Sequence, residues 1–181
     1  MAIIQKTLGP GHPALADCFD NLGELYRVLG KYVDAEPLLN RALEMRVKKV
    51  GPNHVNLAAS FTHIGRLYHD QGKYADAEQQ FNRALELFQK ALGPSHPFVA
   101  AVLDNLAELY LVQHKYSAAE PLLRRALEII ETRRGPEHPD TAATLAHYAA
   151  LLRSTNREAE AVAMEARAKS ISAKYGQKSL K

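Results

Sequence analysis

Eight histidines and one cysteine are the side chains of this sequence best suited to hold a metal or to act as base or nucleophile. Four of the histidines, His12, His54, His96 and His138, recur at intervals of 42 residues, each in a Gly-Pro-x-His stretch. Periodic elements of that length stack about 10 Å apart, as packed helices do. Zn–N bonds are about 2 Å, so the four cannot converge on one ion and a loop role is expected for them. His63, His69 and His147 share no zinc-ligand spacing with a carboxylate or with the single cysteine, Cys18. That lone cysteine also excludes an internal disulfide framework. It lies among apolar residues and reads as a packed thiol. A Gly-x-Ser-x-Gly elbow and a phosphate-binding glycine loop are both missing. Acids such as Asp17 and Glu24 have no partner suited to general-base work. The expectation is therefore no catalytic residue, no metal, no cofactor and no enzyme.

The elements that carry these residues follow from the repeat. Gly9-Pro10-Gly11-His12-Pro13 returns as Gly51-Pro52-Asn53-His54-Val55, Gly93-Pro94-Ser95-His96-Pro97 and Gly135-Pro136-Glu137-His138-Pro139. Units beginning at Gly9 and Gly93 agree at 23 of 42 positions, which makes the periodicity secure. Glycine followed by proline stops one helix, and Pro13, Pro97 and Pro139 suit the first position of the next. The apolar spacing predicts a helix A over 13–29, 55–71, 97–113 and 139–153. Leu15, Phe19, Leu22 and Tyr26 mark its first copy. Breaks at Gly30-Lys31, Gly72-Lys73 and His114-Lys115 lead to a helix B over 32–49, 74–91, 116–133 and 157–174. Gly23, Gly65, Ala107 and Ala149 recur at mid-helix A. A glycine there costs about 1 kcal/mol against alanine, so a close crossing is expected, with Ala35, Ala77, Ala119 and Ala161 as the facing residues. Tyr26, Tyr68 and Tyr110 read as core.

Composition sets outer limits. Apolar residues make up 46% of 181, enough for a packed core. No run approaches the roughly 20 apolar residues of a membrane span, and the first residues are too polar for a secretory signal. A reducing, cytoplasmic setting is the simplest expectation. The net charge is +3, and the segment after Glu165 carries five basic residues and no acid, leaving the rest near −2. A near-neutral body is not a nucleic-acid footprint, and no membrane partner is expected.

Leu22-Gly23-x-x-Tyr26 with Ala35, Leu39 and Ala42 resembles the tetratricopeptide pattern. Phe19, Phe61, Leu103 and Leu145 stand where its tryptophan would be. The 42-residue period, the Gly-Pro-x-His-Pro loops, Asp-Asn-Leu-Gly-Glu-Leu-Tyr, Gly-Lys-Tyr-x-x-Ala-Glu and Arg-Ala-Leu-Glu resemble the repeats of kinesin light chains. The resemblance implies an all-α fold, an α-solenoid in the form of a right-handed superhelix of antiparallel helix pairs. Residues 1–8 are expected to be the end of a preceding repeat helix, 9–153 the array, and 154–181 a capping helix with a basic tail. Glu165, where Leu39, Phe81 and Leu123 stand in earlier repeats, marks the cap.

The resemblance also implies a concave face lined by helix A. Its expected contributors are Asp17, Asp20, Asn21, Glu24 and Arg27, and then His63, Arg66 and His69. The third repeat adds Asp104, Asn105, Glu108 and Leu111, and the fourth His147 and Arg153. Asparagines at the position of Asn21 and Asn105 contact a cargo peptide's backbone in such repeats, and an amide both donates and accepts. These positions contain no lysine, so a clamp for a terminal carboxylate is not expected. The implied function is a scaffold or adaptor that binds a peptide or protein segment in the groove. The alternatives are self-assembly into a homo-oligomer through Ile3, Ile4 and Leu8, and service as an accessory region of a larger enzyme or signalling protein.

Overall fold

A computed structural model describes residues 13–178, and their side chains over 14–175. Residues 9–12 of the first loop with His12, the expected stub at 1–8 and the self-assembly residues Ile3, Ile4 and Leu8 lie outside the described residues. The described chain is all helical. It comprises α1 (Pro13–Val28), α2 (Tyr32–Val50), α3 (Ala58–Asp70), α4 (Tyr74–Leu92), α5 (Pro97–Val112), α6 (Tyr116–Arg134), α7 (Pro139–Ser154) and α8 (Glu158–Lys178). The helices pack as sequential antiparallel pairs, an A helix with the B helix that follows it. They fall into two compact units, Met1–Ala91 and Leu92–Lys181. Among the described residues no helix is long and apolar enough to cross a membrane.

Each A-to-B corner is built the same way. Lys31, Lys73, Lys115 and Arg157 donate their backbone N–H to Tyr26, Tyr68, Tyr110 and Leu152, at 2.8–2.9 Å. This six-to-one bond with a left-handed residue inside it is the Schellman ending of a helix. The left-handed residue is Gly30 or Gly72 in unit 1 and His114 or Asn156 in unit 2. In the first three corners the lysine ammonium also lies 5.3–5.8 Å from the centre of the same tyrosine ring. These tyrosines are half-buried, and a cation over an aromatic face is attracted by the ring quadrupole.

The repeated histidines have a definite task. His54, His96 and His138 sit at helix N-caps in extended backbone. Each Nδ1 accepts the backbone N–H two residues on, at 3.2 Å. This is the service that serine or aspartate usually gives a helix start. It requires the neutral ring with its proton on Nε2. The loop is latched from outside by the arginine of Arg-Ala-Leu-Glu, or in the last repeat by that of Arg167-Ala168-Lys169-Ser170. Arg83, Arg125 and Arg167 donate to the carbonyls of Pro52, Pro94 and Pro136 at 3.3, 3.3 and 3.1 Å.

Three details differ from the sequence reading. The expected helix over 55–71 opens with a 3-10 turn, Val55–Leu57, before α3 begins. Val55 stands where the other repeats have proline, and so lacks the fixed φ that suits a first helical residue. Helix α8 runs to Lys178, about a turn beyond the expected end. The close crossing also has a different partner. A Cβ at Gly23 would lie 2.7 Å from Leu39, with the Ala35 carbonyl next at 3.3 Å, and a Cβ at Gly65 would lie 2.6 Å from the Phe81 ring. The facing residue is thus the large one a turn after the alanine. In unit 2 the same place pairs Ala107 with Leu123 in one buried cluster.

Candidate functional site

In unit 1 the A-helix face of α1 and α3 carries a chain of charges. Asp20 is only 3% exposed. Arg46, reaching back from near the end of α2, donates to Asp20 and Ser60 and also pairs with Asp17 at 2.6 Å. The Ser60 hydroxyl donates to Asp20 at 3.4 Å, and His63 Nδ1 lies 3.9 Å from the same carboxylate. One turn on, Glu24 accepts from Arg27 (Nε 3.0 Å, Nη2 2.8 Å) and pairs with Arg66 at 2.9 Å. Arg27 in turn bridges to Asp70, whose other oxygen lies 3.1 Å from His69 Nδ1. Burial disfavours the charge on Arg27 and Arg46. The carboxylates around each outweigh it and hold both above the ordinary arginine value.

Asn21, on the same face, is exposed and its side chain makes no hydrogen bond to another described residue. A small cavity of about 210 Å³ opens beside this network, lined by Asp17, Arg46 and Lys49 among others.

The face of unit 2, on α5 and α7, is simpler. Asp104 sits where Asp20 does in unit 1, and its Oδ2 lies 2.9 Å from His147 Nδ1. That hydrogen bond, opposed by burial and helped by the charges of Asp104 and Glu108, raises the histidine above its usual range. Ile130 replaces Arg46, and Thr144 replaces Ser60, still buried. Glu108 and Asn105 are half-buried without an ion pair or hydrogen bond to another described residue. Leu111 is half-buried against the core cluster, and Ala146 and Ala150 are exposed. Arg153 is held by Glu158 (3.3 Å) and Glu165 (2.5 Å), which raises it further above the ordinary arginine range.

A contact the sequence reading missed ties the two repeats within each unit. The glutamate of Gly-Lys-Tyr-x-x-Ala-Glu reaches the corner cation one repeat later, with Glu36 to Lys73 at 3.6 Å and Glu120 to Arg157 at 2.8 Å. Arg157 depresses Glu120, with help from the Tyr148 hydroxyl at 3.2 Å. The available signal was the constant 37-residue interval between motif glutamate and corner cation.

The structure thus places all fourteen candidate residues on A helices. Asp17, Asp20, Glu24, Arg27, Arg66, His69, Asp104, His147 and Arg153 are engaged by neighbours, His63 approaches Asp20, Leu111 packs against the unit 2 core with part of its surface exposed, and the side chains of Asn21, Asn105 and Glu108 are left open.

Comparison with known proteins gives one consistent picture. The sequence profile described as Tetratricopeptide repeat matches residues 1–48, 20–90, 56–132 and 98–174. The crystal structure of BtubC (BKLC) from P. vanneervenii aligns with a TM-score of 0.77 and 26% identity over 91% of this chain. The chain spans 66% of that relative, just under two thirds of its length. Nearly identical TPR-like repeats assigned to a kinesin light chain of Podosopora anserina align at TM-score 0.69 and 25% identity, covering 96% of this chain and 82% of that one. A single-substitution form of the same repeats aligns at TM-score 0.72 and 24% identity over 97% and 83%. No curated protein sequence matches the chain.

Proposed function

Because the chain belongs to the tetratricopeptide repeat family, whose members are generally protein-interaction modules, we propose that it is an adaptor whose A-helix faces bind a segment of another protein. One observation carries this reading. Asn21 and Asn105 stand at equivalent places, accessible and without a partner among the described residues, on faces whose other polar groups are mostly paired. A free amide can donate to and accept from a peptide bond at once, so it reads backbone with little regard to side chain. The reading is binding, without catalysis.

The charged contributors divide into two kinds. Asp20 and Arg27 act by shaping the face, since their charges are already met. Arg66 retains an outward side, with its side chain 39% exposed. The test is a pull-down from native lysate with wild type and with Asn21→Ala/Arg66→Ala/Asn105→Ala, both shown folded by circular dichroism. Capture of a protein by the wild type that the folded variant loses supports the reading. Equal capture by both, or none by either, overturns it.

A second reading has its own observation. Leu25 (52% exposed), Val28 (67%), Leu29 (58%) and Val33 (87%) form an open apolar stripe at the α1–α2 corner. Leu67 and Leu151, the equivalents of Leu25 in later repeats, are fully buried against the preceding helix pair. A stripe of this kind suits self-association. Light scattering of wild type against Leu25→Asp decides it: a concentration-dependent mass lost in the variant supports assembly, and a monomer at every concentration removes it.

A further inference from the structure

The two units carry the same acid in different company. In unit 1 Glu24 is clasped by Arg27 of its own helix and Arg66 of the next A helix. In unit 2 the acid is kept as Glu108, but Leu111 stands in the place of Arg27 and Ala150 in that of Arg66. Both arginines are lost and the carboxylate remains. Among the described residues no lysine or arginine pairs with Glu108. Its charge acts on His147, but Asp104 already engages that histidine. Ala150 is exposed and ends at Cβ. The side of the acid that Arg66 covers at Glu24 in unit 1 therefore has no arginine over it at Glu108 in unit 2.

We propose that unit 2 takes an arginine-bearing segment of a partner protein, whose guanidinium pairs with Glu108 over Ala150 as Arg66 does with Glu24 within unit 1. This inference rests on the adaptor reading and names the chemistry of its ligand. Asn105, one turn earlier on α5, holds the backbone of the segment, and Leu111 receives an apolar side chain next to the arginine. A carboxylate in a partly dehydrated setting favours a planar guanidinium that offers two parallel N–H donors. Lysine is the weaker substitute. An acidic segment is excluded here by Glu108 and Asp104 together.

The probe is a phage-displayed library of random 12-residue peptides, selected on the full chain and on Glu108→Gln, Ala150→Arg and Asn105→Ala. Glu108→Gln keeps shape and removes charge, and Ala150→Arg installs in cis the arginine that unit 1 already has. The expected result is a wild-type consensus with arginine at one fixed position. That preference disappears on Glu108→Gln and Ala150→Arg while the rest of the consensus persists. A synthetic consensus peptide should then bind each of these two variants about tenfold more weakly. Replacing its arginine by citrulline should weaken wild-type binding equally and leave Glu108→Gln binding unchanged. A consensus without a basic residue that still depends on Asn105 overturns the arginine subsite and leaves the adaptor reading standing. Failure to select any consensus on the wild type counts against both.

Discussion

Asp20 and Asp104 occupy the same place in the two units and are stabilised by opposite means. Asp20 is buried against a permanent cation, Arg46, with Ser60 as a further donor. Ile130 stands in the repeat where that arginine would be, and Asp104 relies on His147 from the neighbouring A helix. Arginine cannot lose its charge in a protein, whereas histidine titrates near neutrality. One repeat architecture thus holds its carboxylate with a permanent cation in unit 1 and with a titratable partner in unit 2, through one residue near the end of a B helix. The same substitution pattern continues along the face. Unit 1 pairs Asp20 and Glu24 with arginines, and unit 2 leaves Glu108 without one.

The largest effect is expected from removing one partner of the buried pair. Asp20→Ala leaves Arg46 without its main counter-charge in a site where its side chain is only 17% exposed, a loss of about 3 kcal/mol. Asp104→Ala leaves only a histidine that can deprotonate, and should cost about 1 kcal/mol. Urea denaturation at pH 8 compares the two directly. Equal losses would mean that Arg46 finds enough support from Asp17 alone. Arg46→Ile sharpens the contrast by copying unit 2 into unit 1. Asp20 then keeps only the Ser60 hydroxyl and the approach of His63, so this variant should lose stability as well.

Next comes the helix crossing. Gly65→Ala sets a Cβ against the buried Phe81 ring, and overpacking of this kind costs about 1–3 kcal/mol. Gly65→Ala/Phe81→Leu reproduces the Ala107–Leu123 pairing of unit 2 and should recover most of that loss, read as a thermal midpoint. Failure of the double variant to recover would show that the ring is not what the new methyl meets.

The pH response of unit 2 has a definite sign. His147 is raised in the folded chain, by the Asp104 hydrogen bond first. The stability it contributes is fully present below its unfolded value of about 6.5 and is lost as pH rises through the raised folded value. Thermal midpoints of the wild type, measured upward from pH 5.5, should therefore fall relative to His147→Ala, and the difference should vanish at alkaline pH. A constant difference across the series would assign His147 a packing role instead.

These contrasts mark where sequence reading stops. A 42-residue period and apolar spacing are local, so helix pairs, corners and the A-helix face were legible from Gly30, Pro97, Phe19 and their copies. Partners across helices depend on crossing geometry that no period encodes. By spacing Ala35 faces Gly23, yet the knob is Leu39 one turn on, because side chains lean toward the helix N-terminus. Arg46 reads as an ordinary basic residue in a final turn, and nothing in its spacing announces Asp20. The capping role of His54, His96 and His138 is similarly hidden, since imidazole is not a common cap. The candidate face was therefore readable as a set of positions, and its pairing, which decides which residues stay open, was not.

The smallest expected effect concerns the corners, where the units again differ. Unit 1 places glycine at the left-handed position, at φ 71° in Gly30 and 73° in Gly72, and unit 2 places His114 there at φ 58°. For a residue with a Cβ this conformation costs about 1–2 kcal/mol. Glycine removes that cost but gives up about 0.5–1 kcal/mol through its freer unfolded chain. His114 also loses its 2.8 Å contact with the Tyr116 hydroxyl, an exposed bond of small net value. His114→Gly should therefore stabilise the chain by about 0.5 kcal/mol, a rise in the thermal midpoint of about 1–2 °C. His114→Ala keeps the backbone penalty and loses the contact, so it should lower the midpoint slightly. If glycine and alanine shift the midpoint in the same direction, the hydroxyl contact outweighs the backbone, and the corners of the two units differ by side chain more than by conformation.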